Sequence, residues 1–109
     1  MTLIEVGAGR VTDERLGIGF AGAATAACVR AERALADAED RLRKRADLRL
    51  AAAIDQTYAL VTSLSDVLGD LASNDAPDAR DDERKAVRAR ATYHRLLAST
   101  GLLLALSRL

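Results

Sequence analysis

Apolar residues recur at spacings of three and four through most of this sequence, and that regularity decides most of what the chain is able to fold into. Leu50, Ile54, Tyr58, Val61, Leu64 and Leu68 fall on one side of a helix of 3.6 residues per turn, with Asp55, Asp66 and Asp70 opposite. Leu60, Val67 and Leu71 widen that apolar side to about half the circumference, more than a surface helix needs. Phe20, Ala24, Ala27, Ala31, Leu35, Ala38 and Leu42 form a second helical face that ends near the basic run Arg41, Arg43, Lys44, Arg45. No stretch alternates apolar and polar residues in the way a half-buried sheet requires. The expected fold is therefore all-α: an antiparallel helical bundle of about three long helices per chain, completed by oligomerisation.

Breaks in the regularity divide the chain. Residues 1–11 are a short apolar lead with Gly7 and Gly9, read as an edge strand, a swapped arm or a loose end. Residues 12–109 form one helical-bundle domain. Thr12 before Asp13 and Glu14 has the character of a helix start, a hydroxyl cap followed by acids at the positive end of the dipole. Gly17, Gly19 and Gly22 weaken the turns that follow. The first two helices are expected to part near Arg45 to Asp47. Ser73 to Asp78 contains the single proline among cap residues and predicts a turn at 73–78. A third helix is expected from about Asp78, acidic in its first turns and basic afterwards.

From Leu96 onward that helix is apolar on nearly every side, with Leu97, Leu102, Leu103, Leu104, Leu106 and Leu109. A helix apolar on every side has to be covered on every side, and three helices leave one side wet. Composition points the same way. Half of the residues are apolar, yet many are alanine, and the aromatics are Phe20, Tyr58 and Tyr93 alone. At roughly 25 cal/mol per Å² of apolar surface, an alanine face contributes little, and a small chain with a thin core gains from a second copy.

Charge separates along the chain while the total stays at zero. Asp55, Asp66, Asp70, Asp75, Asp78, Asp81, Asp82 and Glu83 lie between Leu50 and Glu83 against Arg80, and from Arg84 there are six bases and no acid. Arg84, Arg88 and Arg95 share a stripe. It reads either as a docking or phosphate-contacting edge, or as a neutralising partner for the acidic helix, with Asp66 near Arg88 and Asp55 near Arg95 in one chain or between subunits. The second explanation is the simpler.

No motif specifies chemistry. Gly17-Ile-Gly19-Phe-Ala-Gly22 fits G-x-G-x-x-G in letters, but charged, helix-like residues precede it where a dinucleotide site needs a strand. His94 is the one histidine and has neither a Glu-x-x-His spacing nor further ligands. Cys28, the one cysteine, sits mid-helix as a small hydrophobe. No catalytic, cofactor-binding or metal residues are assigned, and no cofactor is expected.

Function is accordingly read from surfaces. The leading expectation is a homo-oligomeric protein–protein interaction or assembly module, a dimer favoured, cytoplasmic, without a membrane span and open to another protein partner. Its candidate surface is Arg84, Arg88, Arg95, Leu97, Leu102, Leu103, Leu104, Leu106 and Leu109. One alternative is a small DNA-binding regulator or antitoxin using the basic third helix, which the zero net charge and the lack of a helix-turn-helix disfavour. The other is an all-α enzyme with an arginine-lined site between subunits, drawing on Arg30, Arg33, Arg88, Arg95, Tyr58 and His94.

Overall fold

The computed structural model describes residues 17, 19–73 and 79–109. Among the described residues the protein is all-α, with helices α1 (Phe20–Lys44), α2 (Leu48–Ser73) and α3 (Ala79–Ser107) and no strand. The apolar lead at 1–11, the cap expected at Thr12 and the turn expected at 73–78 lie outside the described residues, apart from Ser73 at the end of α2.

Helix α1 begins at Phe20, directly after two glycines of unusual conformation. Gly17 and Gly19 hold φ of 101° and 83°, the left-handed region where a Cβ is strained. A right-handed helix does not run through such residues, so α1 starts only after Gly19. The first bond of α1 runs from the Ala23 N–H to the Gly19 carbonyl at 3.0 Å. A methyl group placed on Gly17, Gly19 or Gly22 would meet nothing within 4 Å. Backbone conformation, not close approach, is what Gly17 and Gly19 supply, and their G-x-G spacing marks a helix start.

The break between α1 and α2 falls where the sequence places it. Arg41, Arg43 and Lys44 occupy the last turn of α1, the negative end of its dipole, and Asp40 pairs with Lys44 at 3.2 Å. Arg45 is then extended. Asp47 restarts the helix, its carboxylate accepting the N–H of Arg49 at 2.9 Å and of Leu50 at 3.3 Å. Those amides have no partner inside a new helix, so an aspartate there favours a break over a continuous rod.

The chain reverses across this break. Cys28 meets Ser65 and Glu39 meets Tyr58, so positions further back on α1 face positions further on along α2. Helix α2 packs most extensively against α3. Among the described residues six leucines are fully buried, and α2 and α3 supply five of them: Leu50, Leu64, Leu71, Leu96 and Leu103. Helix α1 contributes Leu35, and otherwise lays Ala24, Ala27, Ala31, Ala34 and Ala38 against the other two. Small side chains let helix axes approach to the short end of the usual range of about 8–10 Å. At its N-terminal end Phe20 meets Tyr93 edge to face, with ring centroids 5.2 Å apart.

A polar contact lies inside this apolar packing. The Thr57 hydroxyl donates to the Ala53 carbonyl at 2.7 Å, and its oxygen lies 2.7 Å from Ser99 Oγ on α3. A hydroxyl has one proton, so with that proton on Ala53, Ser99 is the donor to Thr57. The pair sets the register of α2 on α3. Thr57→Val should leave the Ser99 hydroxyl without this partner and cost about 1–3 kcal/mol in urea unfolding, while Thr57→Val with Ser99→Ala should recover most of the loss. Additive losses in the double variant would show that the two hydroxyls are not coupled.

Candidate interaction surface

Helix α3 starts with Asp81 and Asp82 in its first turn, where the dipole favours acids, and Lys85 pairs back to Asp81 at 3.0 Å. Beyond Glu83 every charged residue of the helix is basic. Its core-facing line is Ala86, Ala89, Thr92, Leu96, Ser99 and Leu103.

The candidate leucines divide between core and surface. Leu103 is fully buried and belongs to the core rather than to any surface. Leu104 and Leu106 are half-buried against that core. Leu97, Leu102 and Leu109 remain exposed, at 38, 51 and 72 %. The chain's own helices therefore cover one side of the leucine-rich segment and leave the other open.

Arg84, Arg88 and Arg95 are all exposed, as are Asp55 and Asp66. The pairs of Asp66 with Arg88 and of Asp55 with Arg95 expected within one chain are not among the ion pairs of the described residues, which include Asp40 with Arg43 and Lys44, and Asp81 with Lys85. The reason is register and direction. The Thr57–Ser99 contact places Asp66 level with about Arg90 and Asp55 level with about Gly101 at equal rise per residue. Both acids also lie on the side of α2 opposite its buried residues, facing away from α3.

The structure adds residues that the leucine pattern hides. Val87, Ala91, His94, Ala98, Leu102 and Ala105 are all exposed and follow one another at steps of three and four, directly opposite the buried line of α3. The outward face of a surface helix is ordinarily its charged face. Here only His94 interrupts an apolar stripe, with Arg84, Arg88 and Arg95 along one edge. Ala91, Ala98 and Ala105 repeat every seven residues, a signal present in the sequence but masked by the larger leucines beside it.

Arg30 borders a groove of about 160 Å³ with Ala27, Leu97, Thr100, Gly101 and Leu104, but Arg33, Arg88, Arg95, Tyr58 and His94 do not line it. Of the enzyme candidates, Arg30 alone lines this groove. Among the described residues no cluster of three or more His, Cys, Asp or Glu side chains is placed to hold a metal. No described helix is long and apolar enough to cross a membrane.

Two titrating groups report on the α1–α2 contact instead. Burial pushes the Cys28 thiol above its ordinary value; a hydrogen bond with Ser65 opposes this and the Glu32 charge adds to it. A thiol held protonated is a poor nucleophile. Ser65→Ala should therefore slow alkylation of Cys28 by iodoacetamide at pH 8 further; faster alkylation would mean that Ser65 shields the sulfur rather than stabilising its thiolate. The Tyr58 hydroxyl donates to the Glu39 carboxylate, and this bond, with partial desolvation and the charges of Glu39 and Glu32, holds the phenol above its ordinary value. The contact is made by the neutral phenol, so its contribution is present below the unfolded tyrosine value of about 10 and is lost as pH rises through the higher folded value. In a Tyr93→Phe background, the tyrosinate absorbance of Tyr58 should titrate above the unfolded chain, and Glu39→Gln should move it down.

Compared with protein-family models, with curated proteins and with solved structures, the chain matches none.

Proposed function

We propose that this protein is an interaction module, an antiparallel bundle of three helices that self-associates, as a dimer, through the outward face of α3. The observation that carries this reading is the apolar stripe of Val87, Ala91, Ala98, Leu102 and Ala105 on the side of α3 facing away from its own core. Exposed Leu97 and Leu109 extend the apolar area beyond the stripe. A monomer leaves this surface in water, whereas a second helix laid along it removes it from water.

The seven-residue alanine repeat supports a helix as the occupant. Alanine at alternate contact positions lets a second backbone lie close, and the larger Val87 and Leu102 then fill the gaps to either side. The thin alanine face of α1 supports the same reading, because it leaves the single chain short of large buried side chains.

The test is the solution mass by light scattering together with the helical circular dichroism signal. The wild-type chain should run above the mass of one copy, 11.6 kDa. Leu102→Asp combined with Ala98→Glu should reduce it to one copy with the helical signal retained, since neither residue belongs to the core. A wild-type chain that is monomeric up to millimolar concentration overturns the proposal.

A further inference from the structure

We propose that the outward face of α3 on one copy docks against the outward face of α2 on a second copy, with Arg84 and Arg95 pairing across the contact with Asp66 and Asp55. This rests on self-association as the function and names the surface that α3 meets.

The α2 face has the shape the contact requires. Ala52, Asp55, Ala59, Thr62, Asp66 and Gly69 are all exposed and follow one another at alternating steps of three and four, opposite the buried line of α2. Four of the six are alanine, glycine or threonine, so a second helix lies close along it, as on the Ala91, Ala98, Ala105 stripe of α3. The acids are the only charges on this face, and the edge of the α3 stripe is purely basic beyond Glu83.

Spacing fits as well as sign. Asp55 and Asp66 are eleven residues apart, and so are Arg84 and Arg95. Eleven residues are close to three helical turns, about 16.5 Å at 1.5 Å per residue, so each pair stays on one side of its helix at the same separation. With α2 of one copy antiparallel to α3 of the other, Asp55 meets Arg95 and Asp66 meets Arg84. All four side chains are exposed, and none takes part in the ion pairs found among the described residues. Antiparallel like-with-like docking of two α3 faces would instead bring arginine rows together, a repulsive arrangement.

The test is charge exchange in the full chain. Asp55→Lys with Asp66→Lys, and separately Arg84→Glu with Arg95→Glu, should each weaken self-association at least about tenfold by analytical ultracentrifugation, because each sets like charges opposite one another. An equimolar mixture of the two variants should associate again, and so should a single chain carrying all four substitutions. Since every altered side chain is exposed, helical circular dichroism should be unchanged, and restored association in the mixture excludes misfolding as the cause of the loss. If the wild-type chain associates but the Asp55→Lys, Asp66→Lys variant associates equally well, or the mixture stays apart, the α2–α3 contact is overturned while self-association stands. If the wild-type chain does not associate at all, self-association and the contact built on it fall together.

Discussion

The leucine contact between α2 and α3 is what the rest of the molecule depends on. Leu50, Leu64 and Leu71 on one helix and Leu96 and Leu103 on the other are fully buried, whereas α1 buries one leucine among alanines. Burial free energy scales with apolar area, so the pair α2–α3 carries most of the stabilisation and α1 is added to it as a thin third wall. The Thr57–Ser99 hydrogen bond sits inside that contact and gives it direction. Apolar side chains tolerate sliding by one turn; a buried hydroxyl that loses its partner does not. From this register follow the levels of all other residues on the two helices, including the acids that end up facing away from the arginines of their own chain.

That misalignment is what the proposed self-association builds on. An exposed acid and an exposed base on neighbouring helices gain little by pairing, and here the register and the outward direction of Asp55 and Asp66 keep them apart. The result is two helix faces of opposite sign, each built on small residues and each left open. In the self-assembly proposed above, charge and shape act together: small side chains set the distance, and the arginine and aspartate rows select which faces meet.

The fold was legible in part. The three-and-four spacing identifies three helices and excludes strands among the described residues, and the capping chemistry of Asp47 marks the break before α2. The start of α1 at Phe20 was not legible from apolar spacing: it follows two glycines in left-handed conformation, and spacing does not reveal backbone conformation. The candidate surface was half legible. Leucines announce an uncovered segment near the C-terminus, but hydrophobicity alone does not tell Leu103, which lies inside, from Leu102 beside it, which lies outside. The outward stripe of α3 was overlooked because alanine is ambiguous: on α1 it is the core, on α3 the surface.

By itself, then, the sequence determined the helices, the break before α2 and their separated charges, since each of these depends on residues within a few turns of one another. Tertiary structure decided the register of α2 on α3, which leucines are buried, and which face of each helix is left open. Those outcomes depend on the third direction of packing, on how three helices share a limited set of large side chains. Spacing along one helix carries no information about that choice, and a hydroxyl pair forty-two residues apart settles it.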